Sequence, residues 1–386
     1  MNRWNIYKLA DVCEYSTNRT LHIENYISTE NMLPNKGGVC ASSNIPTGTA
    51  IEYKSGDILI SNIRPYFKKI WQANCDGACS ADVLCIRVNE KTNYKYLYYL
   101  LSQESFFDYV MTGAKGCKMP RGDKQHIMNW EVNIPDLQTQ QKIANILSSL
   151  DDKIEVNRRI NEQLEELAQA LFKSWFVDFE PFKDGEFVES ELGMIPEGWK
   201  VGTLGNVADV VMGASPAGSS YNTEGNGSIF YQGRTDFGFR FPNVRMYTTE
   251  PKRFAESNSV LLSVRAPVGD VNIAFEKCCI GRGLASIKSN SNADSYTYYL
   301  MKSLKPVLDN YNNEGTVFGC INKDALNNLS IVVPTIEIIK EFERIVSCSD
   351  MEIRRRSEEI THLTNLRDTL LPKLMSGEID VNEVKI

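Results

Sequence analysis

The chain has 386 residues, of which 42% are hydrophobic and 24% are charged, and its formal net charge is −7. This length exceeds what one ordinary hydrophobic core needs, so we expect two domains with connecting elements. No stretch approaches the roughly 18 consecutive apolar residues of a membrane-spanning helix, which argues against a membrane role. The first residues lack the apolar run of a secretory signal, and we therefore expect a cytoplasmic protein.

The ten cysteines do not form a metal-binding pattern. Cys75, Cys79 and Cys85 are the densest group, but they lack the paired spacing of a structural zinc site, and the three histidines are far from them. In a long chain without a secretory signal, cysteines are more simply interpreted as reduced, mostly buried, small apolar residues. We expect no metal site.

The negative charge is confined to two segments of the chain. Residues 1–135 carry 15 Lys and Arg against 13 Asp and Glu, and residues 196–334 carry 13 against 12. Residues 136–195 carry 6 against 13, and residues 335–386 carry 8 against 11. The mildly basic segments leave room for local basic surfaces, although a small net charge does not itself indicate nucleic-acid binding.

The sequence contains two copies of one plan, offset by 195 to 202 residues. Trp4 matches Trp199, and the β-like run Ile58–Ser61 matches Val260–Ser263. Arginine and proline follow both runs, and a tyrosine cluster comes after them in each copy. The offset changes within a stretch rich in Gly, Ser and Asn at 213–227, which predicts a different loop in the same frame. Short strands between Gly, Pro and Asn turns, with a helix at the tyrosine cluster, predict an α+β fold.

Two long helices are predicted from apolar positions at alternating spacings of four and three residues. The first stripe runs from Ile143 to Trp175, and the second, shifted by 199 residues, runs from Phe342 to Leu374. Such stripes are typical of a coiled-coil seam, so we expect the two helices to pack on each other. At about 1.5 Å per residue the first helix would span roughly 48 Å, which is enough to hold two domains apart.

Polar residues interrupt both stripes, at Asn157 and Asn161 in the first and at Arg356 and Arg367 in the second. Two interpretations are open. Polar groups in the seam could fix the register and partner of the helices at some cost in stability, or they could face solvent where the helices diverge.

The predicted domain organisation follows from the repeat. Residues 1–135 form the first globular domain, 136–180 the first helix and 181–195 a linker with turn-forming residues. Residues 196–334 form the second globular domain, and 335–386 form the second helix and the C-terminal tail.

Two motifs resemble those of a known family. The segment SWFVDFEPF at 174–182, followed by ELGMIPEGW at 191–199, resembles the central region of type I restriction-modification specificity subunits. The segment LLPKLMSGEI at 370–379 resembles their distal region. The order of two variable domains and two helical regions also agrees, so the resemblance covers essentially the whole chain.

This resemblance implies a DNA-binding protein that takes part in defence against foreign DNA. Two target-recognition domains would each read one part of a bipartite, asymmetric target in double-stranded DNA. Two long helices packed as an antiparallel coiled coil would separate them, giving a pseudo-two-fold internal repeat. The familiar spacing of half-sites about one turn of DNA apart is compatible with such a spacer.

The resemblance also implies partner subunits. The helices would dock two modification subunits, which are N6-adenine methyltransferases, and restriction subunits would add ATP-driven translocation and cleavage. No cofactor would be bound by this chain, because S-adenosylmethionine and ATP with Mg²⁺ would belong to the partners.

Lysine and arginine side chains are the candidates for DNA contacts, since they bind phosphates and base edges. The candidates in the first copy are Arg64, Lys68, Lys69, Lys115, Lys118, Arg121 and Lys124, and those in the second copy are Arg234, Arg240, Arg245, Arg265 and Arg282. Glycines beside several of them would allow the backbone to approach DNA closely. The alternative for each residue is a solvated surface charge. Arg64 and Arg265 stand out because the repeat aligns them, although a shared structural role would explain that equally well.

Two other classes of function fit the sequence less well. A self-contained adenine methyltransferase would need an Asn/Asp-Pro-Pro-aromatic motif, and the segment at 179–182 lacks the second proline. No Gly-x-x-x-x-Gly-Lys phosphate loop is present, and Pro135-Asp136 lacks the nearby carboxylates and lysine of a nuclease. We therefore expect no catalytic residues. A coiled-coil scaffold that only joins proteins would leave the basic, glycine-rich loops of both copies without a role.

Overall fold

The structure is a computed structural model that describes residues 4–312 and 319–381. The chain forms two compact units. Unit 1 comprises Met1–Arg158 and Glu358–Ile386, and unit 2 comprises Arg159–Ser357. Each unit therefore contains one globular domain together with part of both long helices.

The globular part of unit 1 consists of short strands and three short helices. The strands are β1 (Asn5–Lys8), β2 (Cys13–Tyr15), β3 (Arg19–Thr20), β4 (Ala50–Tyr53), β5 (Ile58–Ser61), β6 (Ile70–Gln72), β7 (Gly77–Cys79), β8 (Val83–Val88) and β9 (Glu131–Ile134). The helices are α1 (Tyr94–Leu101), α2 (Glu104–Thr112) and α3 (Lys124–Met128), and the long helix α4 (Leu137–Phe176) follows. The strands form the sheets β2-β8-β5-β6, β3-β4-β7 and β1-β9.

The globular part of unit 2 has the same kinds of element. The strands are β10 (Phe187–Ser190), β11 (Gly193–Pro196), β12 (Lys200–Thr203), β13 (Ala208–Met212), β14 (Tyr221–Asn222), β15 (Ser228–Tyr231), β16 (Tyr247–Thr248), β17 (Phe254–Ala255), β18 (Val260–Ser263), β19 (Val271–Ile273), β20 (Cys278–Ile280), β21 (Leu284–Ser289) and β22 (Ser330–Val333). The helices are α5 (Leu204–Val207), α6 (Asp294–Ser303), α7 (Lys305–Asp309) and α8 (Lys323–Asn327), and the second long helix is α9 (Ile336–Ser376).

The two globular parts share one topology. The sheet β2-β8-β5-β6 of unit 1 has its counterpart in the sheet β13-β21-β18-β19 of unit 2. Strand β1 pairs with β9 from Asn5 opposite Ile134, and β12 pairs with β22 from Lys200 opposite Val333, in the same antiparallel sense. The predicted internal repeat and the α+β class are thus confirmed at the level of strand order and register.

The units differ in the sheet that contains the inserted segment. Unit 1 has the three-stranded sheet β3-β4-β7, whereas unit 2 has the five-stranded sheet β14-β16-β15-β20-β17. The additional strands come from the predicted variable stretch at 213–227, which contains β14, and from the chain that follows it. A conserved frame therefore carries two different sets of loops.

The two long helices pack against each other within each unit. In unit 1 the Arg367 guanidinium lies 2.6 Å from the Asp151 carboxylate, and in unit 2 the rings of Phe172 and Phe342 are 5.7 Å apart. Residue numbers fall along α9 as they rise along α4, so the packing is antiparallel, as predicted. Every position of the two predicted stripes is buried or partly buried.

The polar interruptions lie in the seam. Asn157 is 0% exposed, and its Nδ2 donates to Glu359 at 3.0 Å. The Asn161 amide, also buried, donates to the Ser357 hydroxyl at 3.3 Å. For these two asparagines the solvent-facing interpretation is therefore wrong, and the structure favours a role in fixing helix register.

The family motifs occupy the end of α4 and the segment that follows it. Helix α4 ends at Phe176 rather than at residue 180, and the hairpin β10-β11 begins in the predicted linker 181–195 and ends one residue beyond it, at Pro196. The rings of Phe176, Phe179 and Phe182 surround Trp199 at centroid distances of 5.9, 5.5 and 5.1 Å. These motif residues form an aromatic cluster that joins the helix to the start of the second domain.

Three further features concern the predictions from composition. All ten cysteines are free, as predicted. The prediction that most of them are buried is wrong, because only five are buried. Across residues 4–312 and 319–381, no helix is long and apolar enough to span a membrane. In the same residues no group of three or more His, Cys, Asp or Glu side chains is arranged to hold a metal ion.

Candidate nucleic-acid interface

The two basic segments of the first copy lie side by side at one edge of the sheet β2-β8-β5-β6. Strand β5 ends at Ser61, opposite Val83 at the start of β8. Beyond this edge the Arg64 amide donates to the Pro120 carbonyl at 2.8 Å. The Gly122 amide donates to the carbonyl of residue 62 at 3.2 Å. Loops 62–69 and 115–124 therefore form one surface, which we call basic face 1.

The backbone of basic face 1 is held in defined turns. Lys115 and Arg121 exchange two backbone hydrogen bonds of 2.9 Å, which close the second loop, and Gly116 takes a φ of 98° inside it. In the first loop a short 3₁₀ helix, Pro65–Phe67, is flanked by Arg64 and Lys68, both in the left-handed region with φ of 50° and 51°. Such turns present their side chains from a fixed backbone.

Three cations of basic face 1 pair with partly or fully exposed carboxylates. Lys115 lies 2.6 Å from Asp123, Arg121 lies 3.2 Å from Asp82, and Lys68 pairs with Glu104. The hydrogen bond from Lys115, together with backbone amides, holds the pKa of Asp123 at about 2. Exposed ion pairs contribute little to stability, so the cations can exchange a carboxylate for a phosphate at low cost.

The remaining candidates of the first copy are placed differently. Lys118 and Lys124 are exposed. The Lys69 ammonium donates to the Thr29 carbonyl at 2.7 Å, which ties it to the protein. The Nε of Arg64 is buried and has no hydrogen-bond partner among the described residues, so this side chain carries an unsatisfied donor.

Sequence reasoning missed Lys36, which the fold brings to basic face 1. The Asn35 amide donates to the Phe67 carbonyl at 2.8 Å, and the Lys36 amide donates to the Lys68 carbonyl at 3.0 Å. The Lys36 ammonium is 3.8 Å from Glu104. Lys36 is followed by two glycines in the sequence. This pattern could have identified it, because the other basic loops also combine lysine or arginine with glycine.

Candidate arginines of the second copy converge at the matching edge of unit 2. The Val264 amide, just before Arg265, donates to the Gly283 carbonyl at 3.0 Å, and the Gly281 amide donates to the carbonyl of residue 231 at 2.8 Å. Loops 232–236, 264–266 and 281–283 thus lie together, and we call them basic face 2. They carry Arg234, Arg265 and Arg282, all of them exposed.

Arg234 of basic face 2, and Arg245 from outside its three loops, are held by carboxylates. Arg234 pairs with Asp270. Arg245 pairs with Asp236, and its guanidinium donates to the hydroxyl of Thr235 at 3.2 Å. Asp236 itself is buried and accepts the Gln232 amide at 2.7 Å, which braces the loop.

Arg64 and Arg265 occupy equivalent places in the two units. Each follows an equivalent strand, β5 or β18, at the same edge of its sheet. The Arg64 amide binds the loop at 120, and the amide of Ala266, next to Arg265, binds the Gly319 carbonyl at 3.0 Å. Residues 313–318 of that second loop lie outside the described residues. Contact of either arginine with DNA stays a prediction.

Arg240 requires a correction. Its side chain is 1% exposed, and its guanidinium lies between Glu165 and Asp350 and over the ring of Tyr298. A group without accessible surface cannot reach a phosphate or a base edge, so the prediction that Arg240 binds DNA is wrong for this fold. No local pattern predicts this burial, because the carboxylate partners of Arg240 lie on the two long helices.

Comparison with known proteins gives a consistent family. The model of the type I restriction modification DNA specificity domain matches residues 1–166 and 196–362. The chain is 36% identical over 313 residues to a putative type I restriction enzyme MjaX specificity subunit of Methanocaldococcus jannaschii, covering 78% of this chain and 72% of the relative. It is 26% identical over 466 residues to the type I restriction enzyme HindI specificity subunit of Haemophilus influenzae, covering 98% and 100%.

A solved structure shares the fold. The type-I restriction-modification system S subunit from M. genitalium superimposes with a TM-score of 0.61 at 16% identity, covering 97% of this chain and 96% of that one. The family match spans both globular domains and most of both helices, in the order that the repeat predicts. This chain belongs to the family of type I restriction-modification specificity subunits.

Proposed function

We propose that the chain selects the DNA sequence on which a type I restriction-modification complex acts, with each unit reading one part of a bipartite target. The observation that carries the proposal is the presence of basic faces 1 and 2 at equivalent sheet edges. Each face gathers cations from loops that are distant in sequence. Phosphate contacts from such cations would position the duplex, and side chains reaching base edges would read it.

The differences between the faces support an asymmetric target. Basic face 1 is mainly lysine with two exposed aromatic residues, whereas basic face 2 is built from arginines. Its Gly281 and Gly283 flank Arg282 and lie close to the carbonyl of residue 232, where a larger residue would clash. Two unequal readers on one frame would recognise two unequal half-sites.

The long helices would dock the partner subunits. Apolar side chains remain exposed along them, at Val156 and Leu167 of α4 and at Ile345, Met351 and Leu366 of α9. We assign to these surfaces two N6-adenine methyltransferase subunits, and we expect restriction subunits with translocase activity as further partners. S-adenosylmethionine and ATP with Mg²⁺ would be bound by those partners.

The packing of one motif removes support for a catalytic alternative. The segment at 179–182, which has a partial likeness to an adenine methyltransferase motif, contributes Phe179 and Phe182 to the cluster around Trp199. A structural role accounts for this segment. The basic faces equally argue against a scaffold that only joins proteins, because such a scaffold needs no cations converging from separate loops.

The test is a map of methylated adenines, by long-read sequencing, in cells with and without this chain. The chain should be required for methylation at one split motif. Arg64→Ala should relax or weaken recognition in one half of that motif and Arg265→Ala in the other. Methylation of the same motif without the chain, or an Arg64→Ala variant that alters both halves equally, would contradict the proposal.

A further inference from the structure

Basic face 1 carries two large aromatic side chains that are exposed. Tyr66 is 45% exposed and Phe67 is 38% exposed, and their ring centroids are 4.7 Å apart at an interplanar angle of 55°. Leaving such apolar surface in water is unfavourable in the free protein. Exposed rings grouped beside cations are therefore a feature that calls for a partner.

The backbone fixes both rings at the tip of the turn. The Phe67 amide donates to the Arg64 carbonyl at 3.0 Å, and the Lys68 amide donates to the Pro65 carbonyl at 2.8 Å. Pro65 of the same turn is buried, and the Phe67 carbonyl accepts the Asn35 amide. A pre-ordered turn loses little conformational entropy when its side chains bind.

The charges around the rings indicate an anionic partner. Arg64 and Lys68 flank the pair in sequence, and Lys36 is joined to the same turn by its backbone hydrogen bond to Lys68. Glu104 is an acidic side chain close to these cations, and it pairs with both Lys68 and Lys36. Exposed aromatic rings among lysines and arginines suit a nucleic acid, whose bases stack on rings while its phosphates bind the cations.

A second apolar tip belongs to the same face. Met119 is exposed in loop 115–124, next to Pro120, whose carbonyl binds the Arg64 amide. Apolar side chains of this kind are the wedges that DNA-bending proteins insert between base steps.

Unit 2 lacks this feature at the matching place. The residues after Arg265 are Ala266, Pro267 and Val268, and Val268 is buried. Within the described residues, the turn after Arg265 carries no such pair, which separates the Tyr66–Phe67 pair from the shared frame and connects it with the reading of one half-site.

We propose that Tyr66 and Phe67 form a wedge that inserts into or stacks on the base steps of the half-site bound by unit 1, unstacking one step of the duplex. This inference rests on the proposed function and adds to it a local deformation of the DNA duplex. Unit 1 would then select its half-site partly by how easily that step unstacks, since pyrimidine–purine steps open more readily than others. Unit 2 would read its half-site without this deformation.

The experiment uses the full-length chain and duplexes containing the split target found by methylation mapping. 2-Aminopurine replaces one base at a time along both half-sites, because its fluorescence rises when it is unstacked. We expect enhanced emission at one step of the unit 1 half-site and none in the other half-site. The double variant Tyr66→Ala with Phe67→Ala should lose this emission and about tenfold in affinity.

Matched variants separate the wedge from other causes. Tyr94→Ala removes a tyrosine of similar exposure, 42%, at the start of α1. The Tyr94 carbonyl accepts the side-chain amide of Gln72, the last residue of β6, so Tyr94 lies at the end of β6 away from basic face 1. This variant should bind DNA and give the same emission as the unchanged chain. Phe67→Leu retains an apolar wedge and should keep most of the emission.

The outcomes are distinguishable. Selective binding without enhanced emission, or emission that survives the double alanine variant, overturns the wedge and leaves the proposed function standing. Loss of methyltransferase assembly in the double variant with unchanged DNA binding would assign the rings to a protein partner and also overturn the wedge. Failure of the unchanged chain to prefer its target over random duplex would remove both proposals.

Discussion

Arg240 and Asp350 form a buried ion pair in unit 2, with Nη2 of the arginine 2.7 Å from Oδ1 of the aspartate. Arg240 comes from the inserted segment of the second globular domain, whereas Asp350 lies on α9. The second terminal nitrogen, Nη1, pairs with Glu165 on α4 and donates to the Tyr299 hydroxyl at 2.9 Å. A single side chain thus fastens the variable segment to both long helices of its unit.

Unit 1 keeps half of this arrangement. Asp151 precedes Asp350 by 199 residues, the offset of the helical repeat. It accepts the Tyr99 hydroxyl at 2.6 Å, as Asp350 accepts that of Tyr299 at 3.3 Å. The arginine on Asp151 is Arg367 of α9 rather than a residue of the globular domain. The repeat has kept the tyrosine–aspartate contact between domain and helix and has changed the source of its cation.

The first prediction concerns the stability of this cluster. Arg240→Met should lower the free energy of unfolding by about 3–5 kcal/mol, because Glu165 and Asp350 would keep buried charge without its main partner. Arg282→Met is the matched control, since Arg282 is exposed and its loss should change stability by about 0.5 kcal/mol or less. Thermal and urea unfolding of the full chain measure both. Equal stability of the two variants would show that the pair does not hold the insert.

The second prediction concerns pH. Burial disfavours the charged carboxylate of Glu165, but Arg240 and Lys302 outweigh this and hold its pKa below the ordinary value of 4.5. A carboxyl whose pKa is lowered by folding stabilises the folded state above its ordinary pKa, and this contribution is lost as the pH falls through the lowered value.

Glu165→Gln should therefore melt below the unchanged chain at neutral pH, with the difference shrinking below about pH 4.5. The test is a series of melting temperatures of both proteins between neutral and acid pH. Burial raises the pKa of the neighbouring Asp350, so Asp350→Asn should give the opposite trend. A Glu165→Gln difference that stays constant with pH would contradict the assigned cause.

Local patterns predicted the helices and the basic clusters, but not which clusters meet. The heptad stripes were sufficient for α4 and α9, because apolar periodicity is a property of neighbouring residues. The union of loops 62–69 and 115–124 depends on backbone hydrogen bonds such as that from Arg64 to Pro120, which no local pattern encodes. Two glycines after Lys36 marked it as a candidate, but its place on basic face 1 depends on the same kind of backbone contact, from its amide to the Lys68 carbonyl.

Arg240 shows the limit most clearly. In sequence it resembles Arg234 and Arg245, all three among glycines, aromatics and polar residues of the insert. Its partner Glu165 is 75 residues away, so burial is decided by tertiary packing. A buried carboxylate on each long helix provided no sequence signal, because the heptad pattern predicts only the apolar seam.

The third prediction tests the asparagines in the helix seam. Asn157→Leu together with Asn161→Leu should raise the melting temperature, since apolar residues replace buried amides at seam positions. The same change should weaken the preference for one register, producing additional oligomers at high concentration. Light scattering after size-exclusion chromatography would detect them. A double variant that is less stable than the unchanged chain would show that the hydrogen bond from Asn157 to Glu359 outweighs apolar packing.

The fourth prediction tests basic face 1 as a phosphate-binding surface, with Lys91 as the control. Lys91 is exposed, whereas Arg64 is partly buried. Lys91 lies beyond the end of β8, and the loops of basic face 1 lie beyond its start. If Arg64 neutralises one phosphate, Arg64→Ala should weaken binding to duplex DNA and reduce the slope of log K against log salt by about 0.9. Lys91→Ala should leave affinity and slope unchanged.

Both variants should melt within about 2 °C of the unchanged chain, because neither side chain is a large part of a core. Fluorescence anisotropy of the full chain on labelled duplexes, from about 50 to 200 mM salt, gives both slopes. An Arg64→Ala slope equal to that of Lys91→Ala would remove Arg64 from the interface, and its equivalence with Arg265 would then reflect the shared backbone contact at the sheet edge. A reduced slope for Arg64→Ala alone would show that Arg64 contacts DNA. The backbone hydrogen bond from its amide to the Pro120 carbonyl would then hold the arginine in position for this contact.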